Sequence, residues 1–95
     1  MTFTTTTKYG TYPGCSIRKR FYGNGAPAWE IIDDCGVVAC ATVNLDMIPP
    51  EGYLYIKNWS ENEGVLPSLI EAGLVRDTGT RAPTGYVEAA LVEIL

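Results

Sequence analysis

The chain has 95 residues, of which 46% are hydrophobic and 19% are charged, so it suits one globular domain over residues 1–95 and is too apolar for intrinsic disorder. It contains no histidine, which excludes serine–histidine and cysteine–histidine catalysis and disfavours a metal site. No apolar run approaches the ~18 residues of a transmembrane helix. We expect a non-enzymatic protein with no cofactor and no metal.

The net charge of −4 is unevenly distributed along the chain. Residues 1–25 carry four basic and no acidic residues, whereas residues 26–95 carry three basic and eleven acidic residues. An acidic body repels nucleic acid and anionic membranes and attracts basic surfaces.

Features of the N-terminus and of the cysteines predict the compartment. The first residues lack the basic and apolar regions of a signal peptide, and the cysteines, Cys15, Cys35 and Cys40, are odd in number. We therefore expect a protein in the cytoplasm of the host cell. Its cysteines are expected to be reduced and to pack as small apolar residues.

The N-terminal part predicts two strands. Residues 2–9 are rich in threonine and aromatic side chains, and residues 16–22 alternate between apolar and basic side chains. Glycine and proline predict a loop at residues 10–14 and a break at residues 23–27.

The middle of the chain predicts a hairpin and one further strand. Residues 28–33 and 37–45 alternate in polarity on either side of an Asp-Asp-Cys-Gly turn, and Pro49-Pro50 ends the second strand. Residues 53–57 predict another strand, with Leu54 and Ile56 on its core face.

A helix over about residues 62–72 is predicted by three signals. Ser60 and Glu63 have the spacing of a capping box, and Gly73 suits the position after a helix end. Proline at position 67 fits the first turn of a helix. The apolar face comprises Leu66, Leu69, Ile70 and Leu74.

Residues 77–85 predict a loop and residues 86–94 a final strand. The order of elements therefore predicts an α+β fold with a mostly antiparallel sheet of five to six strands and one α-helix packed on one face. The opposite face of the sheet is expected to be solvated or to meet a partner.

Four short patterns carry a resemblance to a known family. They are Thr-Val-Asn-Leu at 42–45, Lys-Asn-Trp-Ser at 57–60, Leu-Ile-Glu-Ala-Gly-Leu at 69–74 and Thr-Gly-Tyr at 84–86. Over residues 29–95 the chain resembles a family of small proteins of unknown function encoded by phages and other mobile elements. The resemblance implies no reaction and no catalytic residues. It implies that the chain is encoded by a phage or another mobile element, and phage proteins of this size often inhibit host defence.

The leading hypothesis is a phage or mobile-element protein that binds and inhibits a host protein, as anti-CRISPR and anti-restriction inhibitors do. Tyrosine and tryptophan are favoured interface anchors because they bring large contact area with few rotatable bonds. The aromatic residues near the helix entrance and the acidic residues beside them form the expected contact with a basic partner surface. These residues are Tyr53, Tyr55, Trp59, Glu61 and Glu63.

Two alternatives remain open. A basic strip of Arg18, Arg20 and Tyr22 would suit a small nucleic-acid or ligand-binding module, although three cations neutralise few phosphates and disfavour nucleic acid. A homo-oligomer could instead form through an exposed edge strand at residues 2–9 or 86–94.

Overall fold

A computed structural model, which describes residues 2–95, confirms an α+β fold of antiparallel strands with one α-helix. The elements are β1 (Phe3–Thr7), β2 (Gly10–Phe21), β3 (Pro27–Asp33), β4 (Gly36–Cys40), β5 (Tyr53–Ile56), α1 (Val65–Glu71), β6 (Val75–Thr84) and β7 (Val87–Ile94). A single 3-10 turn, Ser60–Asn62, precedes α1.

The strands form two sheets rather than the single sheet expected. One has the order β1-β2-β3-β4 and the other the order β5-β7-β6. The segment after β4 joins them, because Thr42 forms an isolated antiparallel bridge with Ile56 and the Val43 N–H donates to the Tyr55 carbonyl at 3.1 Å. The two sheets therefore meet along residues 41–43.

Two segments that were predicted to be loops are strands. Residues 10–14 belong to β2, which pairs with β1 across a two-residue turn at Lys8 and Tyr9. Residues 77–84 belong to β6, which pairs with β7 around a bulge between Asp77 and Arg81. Cross-strand pairing overrides the local preference of glycine, threonine and proline for loops, and bulges absorb the residues that do not fit the ladder.

The helix begins later than predicted, and the expected capping box does not form. Ser60 has a φ of 56° and starts the 3-10 turn, and neither the turn nor α1 has a cap from the side chain at its own N-cap position. The end of the helix is as predicted. Gly73 has a φ of 74° and donates to Ile70, while the Leu74 N–H donates to Leu69, which is the Schellman pattern.

The core lies between the two sheets and α1. Val65, Leu66 and Leu69 are the buried residues of the helix, whereas Ile70, which was expected on this face, is exposed. The helix packs against β1 and β6. The principal buried cluster comprises Cys15, Trp29, Ile31, Ala39, Ala41, Leu54, Ile56, Val65, Leu66, Leu69, Val75, Ala90 and Val92.

Candidate protein-binding surface

The two tyrosines of β5 lie on the strand face opposite the core. Leu54 and Ile56 are fully buried, while Tyr53 and Tyr55 are half-buried and pair with Glu93 and Leu91 of β7. The alternation along this strand therefore agrees with the sequence pattern, and both rings keep part of their surface in contact with solvent.

Trp59 lines a surface cavity of its own. The ring is half-buried and lines a cavity of about 300 Å³ together with Leu66, Arg81 and Glu88. The ammonium group of Lys57 lies 6.0 Å from the centre of the ring. Neither tyrosine of β5 lines this cavity, so the structure does not join the three predicted aromatic anchors in one pocket.

The two predicted acidic contacts differ in their surroundings. Glu61 forms an ion pair with Lys57, and the hydrogen bond from that ammonium group, helped by the backbone N–H of Glu61 and the Ser60 hydroxyl, lowers the pKa of its carboxyl to about 2. Glu63 is exposed, and its backbone N–H donates to the Ser60 carbonyl. Glu61 is therefore ionised but accompanied by its own counter-charge.

A second cavity, of about 370 Å³, brings together side chains that are distant in sequence. We call it the tyrosine cleft because Tyr9, Tyr12 and Tyr22 line it. Other lining residues are Cys40, Lys57 and Glu61. Tyr9 is 75% exposed, so its ring makes little contribution to the core. Of the residues predicted from sequence, Tyr22 and Glu61 meet here.

Buried polar groups line the inner part of the tyrosine cleft. The Tyr22 hydroxyl lies 3.0 Å from the Thr42 hydroxyl oxygen and donates to the Thr42 carbonyl at 3.2 Å, and burial raises the pKa of this phenol. Asn62 is 2% exposed and donates through Nδ2 to the Cys40 carbonyl at 2.6 Å. The cleft thus offers the exposed Tyr9 ring and hydrogen-bonded polar groups, a combination typical of binding sites.

Two asparagines position this region, a role that was not predicted from the sequence. Asn58 Oδ1 accepts from the backbone N–H groups of Gly64 and Leu66, at 3.2 and 2.9 Å, and so caps α1. Asn62 ties the turn before α1 to the end of β4. Neither pattern has a local sequence signal, because the cap precedes the helix by several residues and Cys40 is distant in the chain.

The predicted basic strip exists, but an acid lies within it. Glu30 Oε1 lies 2.8 Å from Arg18 Nε and 3.0 Å from Arg20 Nε, and these contacts, led by the hydrogen bond from Arg18, lower the pKa of Glu30. Lys19 lies apart from both arginines, with its ammonium group 5.3 Å from the centre of the Trp29 ring. The strip therefore offers less free positive charge than the sequence suggests.

Two further expectations, one about the cysteines and one about the edge strands, were partly wrong. Cys15 is buried, as predicted, but Cys35 and Cys40 are exposed and do not act as core residues. Strand β7 lies between β5 and β6, so residues 86–94 do not provide an edge, whereas β1 does lie at the edge of its sheet.

Residues 2–95 contain neither a metal-binding cluster nor a membrane-spanning helix. No cluster of three histidine, cysteine, aspartate or glutamate side chains there could hold a metal ion. None of the helices in this part of the chain has the length and apolarity needed to span a bilayer.

Comparisons of the chain with protein-family models, with curated proteins and with solved structures give no match.

Proposed function

We propose that the chain is a non-enzymatic binding protein whose contact with another protein centres on the tyrosine cleft. The observation that carries this proposal is the position of Tyr9, a large ring that is 75% exposed at the rim of a cavity with buried polar groups. Exposed tyrosines around a recess are typical anchors of protein interfaces. The N–H of Val43, which also lines the cleft, donates to the Tyr55 carbonyl, so the backbone of β5 lies beside the cleft.

The charge of the surface supports a partner with a basic surface. Among residues 2–95, four of the eleven acidic residues form ion pairs and seven do not. Of the seven basic residues, only Lys8 and Lys19 form no ion pair within the described residues. This excess of acidic groups accelerates encounter with a basic surface and slows encounter with acidic ones.

We further propose that the partner is a host protein and that the chain inhibits its activity. This proposal rests on the resemblance of residues 29–95 to small proteins encoded by phages and mobile elements. A defence protein that handles nucleic acid has the basic surface that an acidic binding protein would meet. Location in the host cytoplasm is part of the same proposal.

The experiment is affinity capture from host-cell lysate, followed by a binding measurement with the purified partner. Tyr9→Ala tests the cleft, and a Tyr55→Ala, Trp59→Ala double variant tests the contact predicted from the sequence. Tyr86→Ala is the matched control, because this tyrosine is fully exposed at a turn outside the cleft. We expect Tyr9→Ala to weaken binding at least about tenfold, which corresponds to ~1.4 kcal/mol, and the control to leave it unchanged.

Two outcomes would count against this proposal. If the chain captures no protein that an excess of its untagged form displaces, it does not bind a host protein under these conditions. If Tyr9→Ala binds as well as Tyr86→Ala while the double variant fails, the contact lies at β5 and Trp59 and not at the cleft.

A further inference from the structure

A cavity of about 570 Å³ lies between the edge of β1 and α1. We call it the β1–α1 groove. One wall is formed by Phe3, Thr4 and Thr6, and the other includes Ser68 and Glu71. None of the residues that line the groove also lines the tyrosine cleft, so the groove is a separate site.

The groove is closed where strand and helix are in direct contact at Thr6. At the closed end, the Thr6 N–H donates to Ser68 Oγ at 2.9 Å, and a Cβ atom placed on Gly64 would lie 2.9 Å from the Thr6 carbonyl oxygen. Farther along the groove, Phe3 and Thr4 line it on the strand side and Glu71 lines it on the helix side. Strand and helix therefore touch at Thr6 and leave space beside Thr4.

Thr4 presents unpaired backbone groups to this space. Thr5 pairs with Tyr12 and Thr7 pairs with Gly10 across a two-residue turn, so the N–H and carbonyl of these odd-numbered residues point toward β2. The Thr6 N–H consequently points away from β2, as its bond to Ser68 shows, and Thr4, at the shift in register between Phe3 and Thr5, has no partner on β2. No other element within residues 2–95 hydrogen-bonds to the N–H or carbonyl of Thr4.

The charge around the groove is negative. Glu71 is exposed and forms no ion pair with any residue in the 2–95 range. Among residues 2–95, no basic residue lines the groove, and the last turn of α1 contains none. The carbonyl end of a helix adds partial negative charge, which favours a cation nearby.

We infer that the β1–α1 groove binds a short extended segment of a partner protein that carries lysine or arginine. The segment pairs as an added strand with the free backbone groups of Thr4, and a basic side chain reaches the Glu71 carboxylate. Main-chain hydrogen bonds at an open edge provide affinity, and side-chain contacts provide selectivity. This inference rests on the proposed function only in that the partner is a protein with a basic surface.

The test is an NMR titration of the ¹⁵N-labelled chain with two blocked hexapeptides. One alternates threonine with lysine and the other alternates threonine with glutamate. We expect saturable shifts of the Thr4 and Glu71 amide signals with the lysine peptide, slower hydrogen exchange at Thr4, and no saturable shift with the glutamate peptide.

Two variants separate this site from the tyrosine cleft. Thr4→Pro removes the outward N–H at an edge position where proline is tolerated, and we expect it to weaken binding of the lysine peptide at least fivefold. Glu71→Lys should also weaken binding of the lysine peptide at least fivefold, because it replaces an attractive charge with a repulsive one. Tyr9→Ala should leave binding of this peptide unchanged. The remaining amide signals report whether each variant is folded.

The inference is overturned if millimolar lysine peptide gives no saturable shift at Thr4, or if both groove variants bind like the parent chain. Saturable shifts at Tyr9 and Glu61 instead would overturn it while leaving the proposed function in place. If the lysine peptide binds at Thr4 but the affinity capture yields no host protein, the inference about the groove is supported and the proposed function is not.

Discussion

Asn58 Oδ1 lies 2.9 Å from the backbone nitrogen of Leu66, so a side chain in the connection after β5 caps the first turn of α1. The same oxygen accepts from Gly64. Because α1 lacks a cap from its own N-cap residue, this contact satisfies backbone donors that would otherwise lie partly buried without a partner.

Replacement of Asn58 by alanine should therefore destabilise the fold. We expect the free energy of unfolding to fall by about 1–2 kcal/mol, the range found for loss of a helix cap, as measured by urea denaturation. Asn58→Asp keeps an oxygen acceptor beside the helix N-terminus and should retain most of the stability. Equal losses in the two variants would contradict a capping role.

A close backbone contact at Gly64 gives a second prediction. Gly64 and Gly73 both have positive φ, at 104° and 74°, but a Cβ atom at Gly64 would meet the Thr6 carbonyl while one at Gly73 would meet no atom within 4 Å. Alanine at Gly73 should cost about 1–2 kcal/mol through backbone strain alone. Alanine at Gly64 should cost at least about 1 kcal/mol more, because strand and helix must move apart.

Chemical denaturation of the two glycine variants tests this difference directly. Equal changes in the free energy of unfolding would mean that β1 and α1 tolerate the added methyl group. That result would also weaken the view that the β1–α1 groove is closed at Thr6.

The acid sensitivity of the fold is predicted from Asp77. The hydrogen bond from the Arg81 guanidinium, followed by that from the Gly79 N–H, lowers the pKa of Asp77 from 3.8 to about 2. A lowered pKa means that the unfolded chain binds the proton first. The stabilising contribution is therefore present above about pH 4 and lost as the pH falls toward 2.

Asp77→Asn should consequently lose less stability than the parent chain on acidification. Urea unfolding at about pH 5 and about pH 2.5 provides the measurement, and the pH-dependent difference should be small because this pair is largely solvent-accessible. Asp34→Asn is the matched control, since Asp34 is exposed and forms no ion pair with residues 2–95. Parallel pH profiles for all three proteins would rule out a role for Asp77.

The basic strip gives a prediction about nucleic acid. Because Glu30 contacts both Arg18 and Arg20, we expect no measurable binding of a single-stranded oligonucleotide by the parent chain at about 50 mM salt. Glu30→Gln removes the competing charge and should make weak, salt-dependent binding detectable by fluorescence anisotropy. Salt-dependent binding by the parent chain that disappears in Arg18→Ala would instead favour the nucleic-acid alternative.

Much of the secondary structure could be read from local patterns. The alternation at Leu54 and Ile56 predicted β5 and its buried face, and Gly73 predicted the end of α1. Strand β6 was missed because residues 77–85 have turn-forming composition and become a strand only by pairing with β7. The start of α1 was misplaced because its cap comes from Asn58 and not from Ser60.

The predicted candidate site was less complete than the predicted fold. The predicted contact residues were grouped because they lie close together in the sequence. They are Tyr53, Tyr55, Trp59, Glu61 and Glu63. Neither β5 tyrosine lines the Trp59 cavity, and Glu61 lines the same cleft as Tyr9 and Tyr22. The tyrosine cleft could not be predicted because its walls come from residues far apart in the chain.

The sequence by itself determined the α+β class, the acidic balance, the absence of histidine chemistry and the strands whose polarity alternates. These properties depend on composition and on neighbours a few residues apart. Tertiary structure alone decided the division into two sheets, the pairing of Glu30 with both arginines, and the cleft and groove. Those features depend on which distant segments pack together, and that choice minimises the free energy of the whole chain rather than of any local segment.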